Sequence, residues 1–70
     1  MKHQSLELNR EYIELNSLLK LQQVAQSGGH ANLIIDEGQV KVNGQIEKRR
    51  RCKLRPGDRV EVNGQTIEIK

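Results

Sequence analysis

Asp36-Glu37-Gly38-Gln39-Val40-Lys41-Val42-Asn43-Gly44 is the stretch on which the fold turns. Upstream of Gly38, residues Ala31, Ile34 and Ile35 recur at i, i+3 and i+4, which puts apolar side chains on one helical face. Downstream, Val40 and Val42 alternate with Gln39 and Lys41, the period of a strand with one buried face. Gly38 suits the position just past a helix end, where a left-handed backbone is needed, and Ser27 suits the N-cap. The pattern predicts a helix over about 28–37 followed at once by sheet.

Further upstream, Tyr12, Leu15, Leu18, Leu19 and Leu21 fall mainly at helical spacing within residues 10–24, with Glu11, Glu14, Asn16 and Lys20 between them. This predicts an amphipathic first helix whose leucines are core. Ser5-Leu6-Glu7-Leu8 alternates and reads as a short strand. Downstream, Asn43-Gly44 and Asn63-Gly64 mark two hairpin turns. A two-residue loop at Asn63-Gly64 sets Val60 opposite Ile67 and keeps Val62 and Ile69 on the same face, so the tight primed turn is expected there. At Asn43-Gly44 the same loop would leave Ile46 on the polar side, so a three-residue or bulged connection is expected instead, bringing Ile46 into phase with the valines. Arg55-Pro56-Gly57-Asp58 reads as a type I or II turn between the hairpins.

Charge is distributed unevenly over these elements. Residues 1–38 hold three Lys/Arg against five Asp/Glu, residues 39–59 eight against two, and residues 60–70 one against two, giving −2, +6 and −1 within a net +3. Lys48-Arg49-Arg50-Arg51-Cys52-Lys53-Leu54-Arg55 alone carries six of the twelve basic residues. If that run is extended, Cys52 and Leu54 face the core, while Arg51, Lys53 and Arg55, with Arg49 as a further rung, face solvent about 6.6 Å apart. Such a ladder matches a phosphate chain, and guanidinium groups bind phosphate through two hydrogen bonds at once. The plainer alternative is a charged edge strand guarded against pairing with other chains. A solvated face needs mixed signs, whereas this one is almost purely positive.

Ser27-Gly28-Gly29-His30 at the start of the second helix offers backbone N–H groups at a positive dipole end and is a secondary candidate for phosphate. Ordinary capping also accounts for Ser27. The two Asn-Gly pairs are hairpin punctuation, because the need for positive φ explains them fully.

Several function classes are disfavoured. Seventy residues make one domain, and one of this size buries only about 60% of its unfolded surface. Tyr12 is the only aromatic residue, so a platform of stacking rings is excluded and any nucleic-acid binding must rest on charge and shape. One Cys and two His without paired spacing do not make a zinc site, and no phosphate-binding loop, nucleophile elbow or acidic pair is present. Cys52 reads as a small core residue, its phase with Leu54 favouring burial over a reactive thiolate. A lone cysteine, no apolar leader and no membrane-length apolar run lead to the expectation of a cytoplasmic protein without a membrane segment.

Ser27 through Gly44, with Arg55-Pro56-Gly57-Asp58-Arg59-Val60 and Leu15-Asn16-Ser17-Leu18-Leu19, resembles the RNA-binding domain named after ribosomal protein S-four, the alpha-L motif. Within it, Arg51-Cys52-Lys53 and the glycine-containing start of the second helix resemble the small stand-alone bacterial YbcJ-like proteins. The resemblance covers about residues 12–62. It implies an α+β domain, two helices packed on a small, mostly antiparallel sheet built from two hairpins, with structured RNA held at the helix pair and the adjoining basic strand. Such domains also occur attached to pseudouridine synthases and tyrosyl-tRNA synthetases, but no catalytic portion is present here. Relatives often carry Arg where this chain has Glu14, Gly28 and Asn32, so its basic strand should carry more of the binding.

The expectation is therefore a single domain over 1–70 that binds RNA without catalysis and without a cofactor or metal, the RNA being structured, ribosomal or transfer RNA. Lys41, Lys48, Arg49, Arg50, Arg51, Lys53 and Arg55 are the expected RNA contacts, with Ser27, Gly28, Gly29, His30 and Asn32 secondary. The rival reading is an adaptor that docks its basic ladder on an acidic protein. A ubiquitin-like sulfur carrier is disfavoured by the ending Ile67-Glu68-Ile69-Lys70, which lacks Gly-Gly.

Overall fold

Two Asn-Gly turns set the sheet. In the computed structural model, which describes residues 2–70, φ is 52° at Asn43 and 87° at Gly44, and 51° at Asn63 and 71° at Gly64. Positive φ at both central residues is the primed turn whose twist matches that of paired strands. The second turn joins β6 (Arg59–Val62) to β7 (Gln65–Ile69) with Val62 opposite Gln65 and Val60 opposite Ile67, as its spacing predicts.

The first turn departs from expectation. It joins β3 (Val40–Val42) to β4 (Gln45–Ile46) by the same two-residue loop, with Val42 opposite Gln45 and Lys41 opposite Ile46. No bulge brings Ile46 inward, and it stays 59% exposed. Local turn chemistry outweighs the burial of one isoleucine, because Asn43 is also anchored from outside. Its side chain donates to Asp58 Oδ1 at 3.1 Å and accepts from the Arg59 N–H at 2.9 Å.

The N-terminal strand is β1 (Lys2–Leu6), earlier than the expected Ser5–Leu8, and it pairs parallel to β7 from Lys2 with Gln65 to Leu6 with Ile69. The five-stranded order is β1-β7-β6-β3-β4, antiparallel apart from β1. A second, two-stranded piece pairs β2 (Ile13–Glu14) with β5 (Lys53–Leu54).

The first helix is shorter than predicted. It is α1 (Leu15–Leu21), with Tyr12 outside it and Leu21 55% exposed. Periodicity alone could not separate the strand residues Ile13 and Glu14 from the helix, since their partners lie about forty positions away in the chain. Gln23, at φ 61°, ends α1 in the left-handed region, and the Val24 N–H donates back to Leu19 O at 2.9 Å. The second helix, α2 (Gly28–Asp36), matches its predicted span closely: Ser27 Oγ accepts from the His30 N–H at 3.1 Å, and Gly38 stands just beyond at φ 74°.

Both helices cover one face of the sheet. Leu15, Leu18 and Leu19 of α1 and Ala31, Ile34 and Ile35 of α2 meet Val40, Val60, Val62, Ile67 and Ile69, all buried. Ile13 and Leu54 extend this core beneath the two-stranded piece, which positions the basic run. The expected α+β class, two helices on a mostly antiparallel sheet, is the observed one.

Candidate nucleic-acid interface

Helix α1 begins without a side-chain cap, so its first N–H groups need other acceptors. The basic run supplies them. The Leu15 N–H donates to Cys52 O at 2.9 Å and the Asn16 N–H to Arg50 O at 3.0 Å. For these carbonyls to reach the helix the chain must bend, and it does: the Cys52 N–H closes a turn on Arg49 O at 3.2 Å. The expected straight ladder from Arg49 to Arg55 is thus broken at Arg50 and Arg51, and only Lys53–Leu54 is strand.

Past the turn the expected alternation holds. Leu54 is buried and Cys52 half-buried against the core, while Arg51, Lys53 and Arg55 are exposed. Leu54 pairs with buried Ile13, so the outward face of the two-stranded piece presents Lys53 beside Glu14, with Tyr12 and Arg55 at the next position along. Lys53 Nζ lies 5.0 Å and the Arg55 guanidinium 6.0 Å from the centre of the Tyr12 ring. Arg49, Arg51, Cys52, Lys53 and Arg55 together line one shallow depression.

Three carboxylates sit against the side chains of Arg49, Arg50 and Arg51. Arg50 donates through Nε to Asp36 Oδ1 at 3.0 Å and through Nη2 to Oδ2. Arg49 grips Glu47 through Nε and Nη2, both at 3.0 Å, while its backbone N–H donates to the same carboxylate at 3.0 Å. Arg51 stands only loosely near Glu14, at 4.0 Å. The hydrogen bonds from the Arg49 side chain and backbone hold the Glu47 carboxyl down to about 2, and the Arg50 fork lowers Asp36. Cys52 moves the other way. Burial first, then the Glu47 charge, pushes its thiol up, so it is not a thiolate activated by the arginines.

The seven expected contact residues are therefore not equivalent. Arg51, Lys53 and Arg55 share the outward face; Arg49 lines the same depression while holding Glu47; Arg50 is turned to the last residue of α2. Lys48 Cε lies 3.5 Å from where a Cβ on Gly38 would stand, at the far end of α2. Lys41 is separate, on the sheet next to Glu61. The secondary set also divides. Ser27 is occupied in capping, and His30 Nδ1 accepts from the Gln26 N–H at 3.1 Å. These residues lie at the opposite end of α2 from Asp36, about 12 Å along its axis. Asn32 accepts from Asn16 Nδ2 at 3.2 Å, next to the helix start on which the basic turn rests.

Sequence reasoning missed Tyr12 and Arg10 as surface residues of this region, having placed Tyr12 on the apolar face of the first helix. Its signal was the short alternation of Tyr12, Ile13 and Glu14. Arg10, Glu11, Tyr12, Ile13, Glu14 and Ser17 line a second depression. Among the described residues no cluster of three or more His, Cys, Asp or Glu is placed to hold a metal, and no helix is long and apolar enough to cross a membrane.

A family model described as "S4 domain" matches residues 6–70. The chain is 43% identical over 58 residues to the putative RNA-binding protein YbcJ of Escherichia coli (strain K12), covering 83% of each. It is 42% identical over 59 residues to the probable ribosome maturation protein RlbA of Bacillus subtilis (strain 168), covering 84% of this chain and 83% of that one. The solution structure of E. coli YbcJ, described as having an alfaL motif involved in RNA-binding, matches with a TM-score of 0.68 at 40% identity, over 99% of this chain and 86% of that one.

Proposed function

The chain belongs to the S4 domain family, and on that footing we propose that it is an RNA-binding module, not an enzyme, that grips structured RNA by its phosphates. The observation that carries the reading is the convergence of Arg51, Lys53 and Arg55 on one exposed face that also lines a depression with Arg49. Lys53 lies on the paired strand anchored by buried Leu54, with Arg51 in the turn before it and Arg55 directly after it, and this backbone placement presets their spacing, so little ordering is required on binding. Arg50 joins by exchanging the exposed Asp36 carboxylate for a phosphate, while Arg49 adds its charge from its place on the half-buried Glu47. Exposed ion pairs are worth little, and the exchange conserves the bidentate geometry. Asn16 and Asn32 at the adjoining helix pair are weaker contacts.

The relatives' names agree in kind, one being a putative RNA-binding protein and another a probable ribosome maturation protein. Ribosomal RNA is therefore the first structured RNA to try. If three to five phosphates are neutralised, affinity falls roughly 20- to 500-fold between 50 and 200 mM salt. The test is titration of a labelled ribosomal RNA hairpin at both salt concentrations, with the wild type and with Arg51, Lys53 and Arg55 changed together to Ala. A salt-independent affinity, or one the triple change leaves intact, overturns the reading.

A further inference from the structure

We propose that Tyr12 stacks the base of an unpaired RNA nucleotide, seated in the depression lined by Arg10, Glu11, Tyr12, Ile13, Glu14 and Ser17, while Lys53 and Arg55 hold the adjoining phosphates. The inference rests on the RNA-binding reading and specifies the substrate class: RNA with a bulged or looped-out nucleotide.

Tyr12 is the one Phe, Tyr or Trp side chain of the chain, and it is half-buried on the outward side of the two-stranded piece, outside the core cluster. Two exposed cations lie over its ring, at 5.0 and 6.0 Å from the centroid, and a base that stacks there takes their place as they turn to its phosphates. The ring thus stands between two concave surfaces of different character. The one lined by Arg49, Arg51, Cys52, Lys53 and Arg55 is strongly positive. The one it lines itself carries two carboxylates against one guanidinium, which repels a bare phosphate chain but accepts a neutral base. Carboxylates and the Ser17 hydroxyl there can accept hydrogen bonds from the N–H groups of an amino-bearing base such as guanine. A single ring is no platform for a run of bases, yet it suffices for one, and unpaired nucleotides are where proteins read RNA.

Tyr12 is also the sole source of tyrosine fluorescence, with no Trp in the chain, so its emission reports on this site alone. The probes are a short RNA duplex bearing one bulged guanosine and the same duplex without it. The proposal expects the bulged RNA to quench the emission and to bind roughly 5- to 150-fold more tightly than the blunt one, the range for stacking one base. Tyr12→Leu should erase that preference, and Tyr12→Phe should keep it. Equal affinity for the two RNAs, or an equal loss on both with Tyr12→Leu, overturns the stacking site and leaves phosphate binding standing. Failure of the wild type to bind either RNA removes both readings. The quenching measurement uses only the wild type, so it decides even if Tyr12→Leu loosens the strand.

Discussion

Arg50 spans the helix pair: its guanidinium lies across both oxygens of Asp36, the last residue of α2, while its carbonyl accepts the Asn16 N–H at the start of α1. The residue thus clamps the basic turn onto two helix ends. Arg50→Ala and Asp36→Asn should each lower the urea midpoint, and the double variant should be no less stable than the weaker single one. A double-mutant cycle checks this, and strict additivity would refute the clamp. Arg50→Ala should reduce RNA affinity less than Arg51→Ala.

Acid should release the turn. Glu47 and Asp36 have folded-state pKa values below their ordinary ones, so both contribute stability that is present above the ordinary carboxylate range. That stability is lost as pH falls through the folded values, for Glu47 between the ordinary 4.5 and about 2. Amide hydrogen exchange at residues 49–52, corrected for intrinsic rates, should rise over that window in the wild type. The rise should be blunted in Glu47→Gln.

Ile46 and Leu54 predict opposite outcomes for two apolar residues. Ile46→Thr removes an exposed side chain from β4 and should leave stability within about 0.5 kcal/mol. Leu54→Ala opens a cavity under the basic strand and should cost about 2–5 kcal/mol, which a thin core of this size tolerates poorly. Thermal unfolding of the pair measures both.

Gln23 and Gly38 make a second contrast. Gln23 holds φ 61° with a full side chain, so Gln23→Gly should gain about 0.5–1 kcal/mol. Gly38→Ala forces the same strain at φ 74°, so it should lose at least about 1 kcal/mol. Chemical denaturation of the two variants provides the comparison.

Cys52 should alkylate more slowly than an exposed cysteine in a reference peptide at neutral pH, since burial raises its thiol. Urea should abolish the difference. A rate above the reference would point to thiolate stabilisation by Arg49.

What could be read from the sequence was what is decided locally. Ser27 and Gly38 bracket α2 by capping chemistry, and Asn63-Gly64 sets its own hairpin register, so each was visible within a few residues. The misreadings occurred where a distant partner decides. The β2 strand exists because Lys53–Leu54 pairs with Ile13–Glu14, and the basic run bends because α1 lacks a cap and borrows the carbonyls of Arg50 and Cys52. At Asn43-Gly44 the error had another origin, because the burial of Ile46 was weighed above a turn signal that holds in both hairpins.

The parallel pairing of β1 with β7 joins Lys2 to Gln65 and Leu6 to Ile69, and the Leu8 N–H reaches Lys70 O. Of the strands, the one synthesised first is therefore the last to find its neighbour. While α2 and the first hairpin can assemble from near-neighbour contacts, β1 must wait with an open hydrogen-bonding edge until residues 65–69 are available. Pairing of β1 is thereby a late event in biosynthesis, since without Gln65–Ile69 this strand has no neighbour to dock on.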